Sequence, residues 1–277
     1  MKSLLFTLIF ILGVSCSSFT RERINASGSV VLEDRHQLSH FNGIDVCCGF
    51  NLILTNDGEQ KVSVEADKNY LPYIETTVKG GKLIIKRKNN VNFSNNSSVK
   101  VYVSATALKS LSSSGGAKVE ITNTLVSDQL TLDGSGGCRI KGDVQCTDLK
   151  MSLSGGGVVN LSGTSETTKV DLSGGGKADM NMNCRKMTMS LSGGGEITLS
   201  GSADDLKFSA SGGGRLKGYE MVVKDFHADL SGGGRADIHV TGTIDVDASG
   251  GGQVNYKGNA TPGSISLSGG GKLNKVD

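Results

Sequence analysis

A serine followed by glycines recurs nine times between Ser114 and Gly271, and this repeat limits the fold more than any other feature of the chain. The repeat serines are Ser114, Ser135, Ser154, Ser173, Ser192, Ser211, Ser231, Ser249 and Ser268. They are 21, 19, 19, 19, 19, 20, 18 and 19 residues apart, and the seven copies from Ser154 onward read Ser-Gly-Gly-Gly. A period this regular indicates one structural unit stacked many times.

Apolar residues alternate with polar residues on both sides of each glycine cluster. Around Ser154 the apolar positions are Leu149, Met151, Leu153, Val159 and Leu161. Alternation with a period of two predicts two short strands separated by a bend. A coil of about 19 residues cannot bury its apolar face alone, so we expect the coils to stack as a parallel β-helix with strands about 4.8 Å apart. No stretch after Ile24 has a useful helical period.

The glycines are expected to form the corners between strands, because glycine adopts positive φ without a Cβ penalty. The structural repeat glycines are Gly155, Gly174, Gly193, Gly212, Gly232, Gly250 and Gly269. Alternatively, the serine and glycine columns form a flat strip, poor in side chains, on which a glycan or peptide lies. We expect binding specificity in the residues that vary directly after the glycines. These candidate surface contacts are Lys177, Glu196, Arg215, Arg235, Gln253 and Lys272.

The N-terminus is typical of an exported protein. Residues 1–15 form a signal peptide, with Lys2 before an apolar run that is too short to span a bilayer. Cys16 then follows a small residue, as in a bacterial lipobox, and we predict that it is lipidated. The alternative is an ordinary secretory signal cleaved nearby. Residues 16–37 are assigned to the lipid anchor and a linker.

Residues 38–277 are assigned to a single β-helix domain. The capping part covers about residues 38–110, and the Ser-Gly-Gly-Gly array covers about residues 111–277. Within the capping part, residues 41–54 have the same apolar alternation as the repeat. When this stretch is aligned with the later copies, Cys47 takes the position of the serine and Cys48 that of the first glycine. Open strand edges invite further strands, so this part is expected to cover the N-terminal end. No dedicated cap is evident at the C-terminus.

From Phe41 through Lys86, from Val99 to Leu111, and through the Ser-Gly-Gly-Gly repeats, the sequence resembles the head-GIN-domain family of auto-transporter adhesins found in Bacteroidota. The resemblance covers about residues 38–275. It implies a right-handed parallel β-helix, a role in adhesion and no catalytic residues. The chain departs from the family at Cys47-Cys48, where small residues such as Ser-Gly are usual.

The residues that carry chemistry are sparse. Cys146 and Cys184 lie at the same offset two coils apart, about 9.6 Å, so they are not expected to form a disulfide. Cys47 and Cys48 could form a strained vicinal disulfide, although packed free thiols are preferred. The aspartates look scattered, with Asp179 three coils from Asp237. No Cys-x-x-Cys occurs, and no metal site or cofactor is predicted.

These observations predict a non-enzymatic lipoprotein of the cell envelope that acts as an adhesin or binding surface protein. It would be exported and anchored to the outer membrane, facing the periplasm or the cell surface. Its partner would be a glycan or protein ligand on a host, a neighbouring cell or the envelope. The net charge of +2 gives no reason to expect nucleic-acid binding. The alternatives are a carbohydrate-active β-helix enzyme and a structural protein of the envelope.

Overall fold

The computed structural model describes residues 21–94 and 98–276. Within these residues the chain forms 22 strands and one short 3-10 turn, Leu71–Tyr73. The strands of the N-terminal part are β1 (Glu22–Ile24), β2 (Val30–Asp34), β3 (Gly43–Val46), β4 (Asn51–Thr55), β5 (Lys61–Asp67), β6 (Ile74–Lys79), β7 (Lys82–Arg87), β8 (Val91–Phe93) and β9 (Lys100–Ser104).

The strands of the repeat array follow without any helix. They are β10 (Ser110–Ser113), β11 (Lys118–Ile121), β12 (Leu125–Gly136), β13 (Arg139–Gly155), β14 (Val158–Gly174), β15 (Lys177–Gly193), β16 (Glu196–Gly212), β17 (Arg215–Gly232), β18 (Arg235–Val240), β19 (Thr243–Gly250), β20 (Gln253–Lys257), β21 (Thr261–Leu267) and β22 (Lys272–Lys275). Within the described residues, no helix is long and apolar enough to cross a membrane.

The coils stack in register as a right-handed parallel β-helix, as predicted. The chain makes a solenoid of about nine turns with coils of about 19 residues. Strand β13 pairs in parallel with β14, and β14 with β15, so that Ser154 lies beside Ser173 and Ser173 beside Ser192. The alternating apolar residues Met151 and Leu153 are each 1% exposed. The interior is therefore a narrow column of aliphatic side chains, contributed one layer per coil.

Two of the three glycines in each corner are required by the fold. The first glycine has positive φ, as at Gly174 with φ 100°, and a Cβ there would lie 3.0 Å from the carbonyl oxygen of Gly155 in the preceding coil. The third glycine packs against the core, since a Cβ on Gly176 would lie 2.8 Å from a methyl group of Leu153. These glycine corners agree with the structural role predicted from the sequence.

The N-terminal end is closed by strands that run against the direction of the coils. Strand β5 pairs antiparallel with both β9 and β2, and β6 pairs antiparallel with β7. Asp67 ties down the incoming chain by accepting hydrogen bonds from the backbone of Ser27 and Gly28, at 2.9 and 2.8 Å. Strands β1 and β2 lie in the segment that the sequence analysis assigned to the anchor and linker, so part of that segment belongs to the folded domain.

The C-terminal coil is far more exposed than the coils before it. Every residue of β21 is exposed, including Ile265 at 38% and Leu267 at 44%. This coil pairs with β19 and β20 on one side only within the described part of the chain. The contrast with the N-terminal end follows from the cap strands, which cover only that end.

Candidate binding face

The coils present a flat outer surface around each glycine corner. The serine face is defined as the outward residues of the strand that leads to each serine, such as Ser152 and Ser154. The charged face is defined as the outward residues of the strand that follows the glycines, such as Lys177 and Asp179. The two faces meet at the glycine corner, so a ligand lying along the corner would contact both.

A shallow trench of about 540 Å³ runs along the serine face. Its polar lining consists of hydroxyl and carboxylate groups from seven successive coils. These residues are Ser112, Ser114, Asp133, Ser135, Ser152, Ser154, Asp171, Ser173, Ser190, Ser192, Ser209, Ser211, Asp229 and Ser231. Six steps between coils at about 4.8 Å give the trench a length of roughly 29 Å. Apolar atoms, including those of Leu153, Leu172 and Leu191, make up most of the lining between these groups. The trench therefore suits an extended chain with both polar groups and apolar faces, such as a glycan or a polypeptide.

The second glycine of the corner has no evident structural requirement in four successive coils, whereas in the last coil a Cβ on Gly270 would lie 2.8 Å from the Gly250 carbonyl oxygen. At Gly156, Gly175, Gly194 and Gly213, a Cβ would meet no atom within 4 Å, and φ lies outside the left-handed region. Other L residues adopt such a backbone without strain. Along these four coils the ridge is therefore free of side chains without a steric or conformational need for glycine.

The six candidate surface contacts lie in one column of the charged face. Parallel pairing places each beside the next, in the order Lys177, Glu196, Arg215, Arg235, Gln253 and Lys272. Glu196 accepts from Lys217 Nζ at 2.8 Å, and this hydrogen bond holds the pKa of Glu196 below its usual range, helped by the charges of Lys177 and Arg215. The column is therefore mainly cationic, with Glu196 as its one acidic residue, and it is partly neutralised by ion pairs within the protein.

A polar cluster near the end of the charged face was missed by the sequence analysis. The Asp237 carboxylate accepts from Arg235 Nε at 3.0 Å, from Asn255 Nδ2 at 2.6 Å and from the Tyr219 hydroxyl at 3.5 Å. The pairing of β17 with β18 shifts register between Gly218 and Val222, which projects Tyr219 beside a cavity of about 440 Å³. In the sequence, this register shift shows only as the spacing of 20 residues between Ser211 and Ser231, where 19 is usual.

The aspartates are less scattered than the sequence analysis concluded. Asp229 and Asp247 are register partners on adjacent strands of the serine face, and His227 Nδ1 lies 2.8 Å from a carboxylate oxygen of the neighbouring Asp245. Adjacent strands bring carboxylates to about 5 Å, the separation found in retaining glycosidases. Both Asp229 and Asp247 are exposed, however, whereas a carboxylic acid kept protonated for catalysis needs burial.

The cysteines that the sequence predicted to be unpaired lie apart in the structure. Cys146 and Cys184 are free thiols separated by Ser165 in the register, as predicted. No group of three or more His, Cys, Asp or Glu side chains that could hold a metal ion occurs among residues 21–94 and 98–276. The signal peptide and the lipidation site at Cys16 lie outside the described residues.

Solved structures with the same fold come from Bacteroidales. A structure described as a putative adhesin from Parabacteroides merdae ATCC 43184 has a TM-score of 0.73 and 17% identity, over 92% of this chain and 100% of that chain. A putative adhesin from Parabacteroides distasonis ATCC 8503 has a TM-score of 0.71 and 18% identity over the same shares. A structure described as a putative lipid binding protein from the same strain has a TM-score of 0.70 and 21% identity, again over 92% and 100%. At these identities the likeness concerns the fold alone.

The repeat and the fold together agree with one sequence family. No protein of curated function matches the chain. The family described as "putative auto-transporter adhesin, head GIN domain" matches residues 40–181 and 166–260, which together span most of the solenoid. The chain therefore belongs to the head GIN domain family of putative auto-transporter adhesins.

Proposed function

We propose that the protein is a non-enzymatic binding protein of the cell envelope, held at the outer membrane by a lipid on Cys16. Its ligand is an extended glycan or polypeptide that lies along the glycine corner. The serine trench supplies hydroxyl and carboxylate groups on one side of that corner, and the charged face supplies the residues that vary from coil to coil. Membership of an adhesin family supports this role.

The side-chain-free ridge is the observation that carries the proposal. A glycine such as Gly175 needs neither positive φ nor space for a neighbouring atom, yet seven successive copies have glycine at this place. A bare backbone lets a ligand approach closely. The ridge N–H groups are already used within the stack, since Gly175 N donates to the Gly155 carbonyl at 3.1 Å, so the ligand's hydrogen bonds come mainly from the trench. The trench beside the ridge adds a row of hydroxyl groups at a spacing of about 4.8 Å.

Specificity is assigned to the six residues that follow the glycines. Lys177, Arg215 and Arg235 present cationic groups, and Glu196 lies between two of them in the column. A sulfated or carboxylated glycan, or an acidic peptide, is the ligand class that this charge pattern favours. Reversing the charge of Lys177 and Arg215 should therefore change which ligands bind without changing the fold.

Binding is tested by probing glycan and matrix-protein arrays with the purified protein and with a Gly175→Glu/Gly194→Glu variant. The new side chains have room at these positions, so the variant should unfold at the wild-type temperature. We expect it to lose at least about tenfold in affinity, because the glutamates would stand on the ridge where the ligand lies and would repel its acidic groups.

The matched control is Thr164→Glu/Asn183→Glu, which adds the same charge at two exposed register partners away from the glycine corner. It should bind as the wild type does. Equal binding by both double variants would place the ligand elsewhere. If no array component binds, and cells without the protein attach normally, a structural role in the envelope replaces the binding role. Release of reducing ends from a bound glycan would instead support an enzyme that uses Asp229 and Asp247.

A further inference from the structure

Cys47 and Cys48 form the first corner of the solenoid, and the residues there depart from the rest of the repeat. The corner has the same backbone as the next one. Cys48 and Gly49 have φ of 68° and 76°, and Gly115 and Gly116 have φ of 58° and 83°. In both corners the residue before the turn accepts a hydrogen bond from the residue three positions later, Phe50 to Cys47 at 3.4 Å and Ala117 to Ser114 at 3.1 Å.

Cys48 therefore occupies a position that the later corners fill with glycine. A β-carbon in the left-handed region costs conformational free energy, and residues held in such strained conformations concentrate at functional sites. The first corner has room for the β-carbon of Cys48 because this corner comes first in the stack. At Gly155 a Cβ would lie 3.2 Å from the carbonyl oxygen of the preceding corner, whereas no glycine corner precedes Cys48.

The same strained turn brings two thiols together. In an extended strand adjacent side chains point to opposite sides, so neighbouring cysteines lie apart. The positive φ of Cys48 breaks that alternation, and the Sγ atoms of Cys47 and Cys48 lie 2.7 Å apart. A disulfide bond measures about 2.05 Å, so the two sulfur atoms need to move by less than about 1 Å to bond. Both side chains are half-buried and open to small reagents.

We propose that Cys47 and Cys48 are a redox modification site, at which a small-molecule or protein disulfide oxidises the two thiols to a vicinal disulfide. One cysteine sulfur attacks the oxidant, forming a mixed disulfide and releasing one thiol. The other sulfur then displaces the second thiol. Two S–H bonds and the oxidant's S–S bond break, while one S–S bond forms in the protein. The protein loses two electrons and two protons, and the oxidant leaves as two thiols.

This disulfide would be reversible. Adjacent Cα atoms are about 3.8 Å apart, which is shorter than the range of about 4.4–6.8 Å found for ordinary disulfides. The ring is therefore strained, and strained disulfides are reduced more readily than structural ones. Cys138 and Cys146 are buried, and Cys184 lies on β15, which β10, β12, β13 and β14 separate from β3, so exchange with other described thiols is blocked.

The reaction should be slow at neutral pH. Burial raises the pKa of Cys47 to about 12, with further contributions from Cys48 and Asp45 that Lys86 partly offsets. The thiolate is the attacking species, so equilibration requires hours or a mildly alkaline buffer.

The experiment equilibrates the full chain in glutathione buffers from reducing to oxidising, stops exchange with acid, alkylates the free thiols and digests with trypsin. Cleavage after Arg35 and Lys61 yields a peptide of residues 36–61 that contains both cysteines and no other. We expect this peptide to become unreactive to the alkylating agent and about 2 Da lighter as the buffer becomes oxidising. A reducing buffer should reverse the change.

Two variants provide matched controls, because each introduces the residue that the later copies have in the same column. Cys47→Ser and Cys48→Gly should unfold no more easily than the wild type, and neither should give the lighter peptide. The proposal is overturned if the wild-type peptide stays doubly alkylated in every buffer, or if it accumulates glutathione on either cysteine in place of the ring. It is also overturned if either single variant gives the same loss of about 2 Da.

Discussion

The three glycines of each corner differ in what they contribute. The first glycine has a conformation that only glycine adopts without strain, and its Cα stacks on the backbone of the preceding corner. The third makes room for a buried leucine. The second does neither, which is why we assign it to binding. A sequence of three identical residues thus contains three separate constraints, and single substitutions should distinguish them.

The first two glycines of one corner give the sharpest test. We expect Gly174→Ala to lower the free energy of unfolding by at least about 1–2 kcal/mol, from the left-handed conformation alone. The new Cβ would also meet the Gly155 carbonyl at 3.0 Å. Gly175→Ala should change stability by less than about 1 kcal/mol, in the stabilising direction, because alanine restricts the unfolded chain. Chemical denaturation measures the free energy of unfolding of both variants. Equal losses of stability would refute the difference in role between Gly174 and Gly175.

At the scale of elements, the N-terminal strands are held by few contacts. Strand β2 lies at the edge of the sheet, and Val30 and Leu32 are 64% and 58% exposed. Asp67 anchors the turn that leads into it. Burial raises the pKa of this carboxyl, but hydrogen bonds from Ser27, Asn69 and Gly28 outweigh burial and lower the pKa overall. The carboxylate is therefore charged under ordinary conditions and accepts several donors at once.

Replacing Asp67 should release this element without unfolding the solenoid. We expect Asp67→Ala to speed amide hydrogen exchange in residues 27–34 severalfold, because the donors of Ser27 and Gly28 lose their acceptor. Exchange in β13 to β17 should be unchanged. Asp204→Ala, at an exposed position in the array, is the control. Uniform acceleration across the chain would mean that Asp67 stabilises the whole domain rather than the N-terminal strands.

At the scale of the whole molecule, each coil contacts mainly its two neighbours, so stability should be nearly additive along the stack. Deleting residues 175–193 joins Gly174 to Gly194 and removes one coil without altering the register. Ile197 would then stack on Val159, which preserves an apolar layer.

We expect this 19-residue deletion to fold, with a solenoid shorter by about 4.8 Å in small-angle scattering. An 18-residue deletion that joins Lys169 to Thr188 is the control. This deletion places two outward residues, Lys169 and Thr188, in succession and breaks the alternation of the strand. Its unfolding temperature should therefore fall further below the wild-type value than that of the 19-residue deletion. Greater stability of the 18-residue deletion would contradict nearest-neighbour stacking in register.

Much of this architecture can be predicted from the sequence because its information is local and repeated. The spacing of the serines gives the coil length, and the alternation around Met151 and Leu153 gives the inward face. The six residues after the glycines fall in one column because a constant period places equivalent residues side by side. The same reasoning overlooked Asp229 and Asp247, although both lie two residues before their repeat serine. Their shared offset from the serine is the signal, because a constant period places equal offsets side by side on adjacent strands.

The amino-acid sequence by itself determined the solenoid, its coil length and its glycine corners, since these follow from a short-range pattern repeated nine times. Only the tertiary structure decided where the pattern is broken. The antiparallel pairing of β5 with β2 and β9 depends on which strand lies next to which, and it joins residues that are far apart in the chain. The convergence of Cys47 and Cys48 requires a positive φ that the residue type disfavours. The spacing of 20 residues marks where the bulge at Tyr219 falls, but its projection beside a cavity depends on the neighbouring strand.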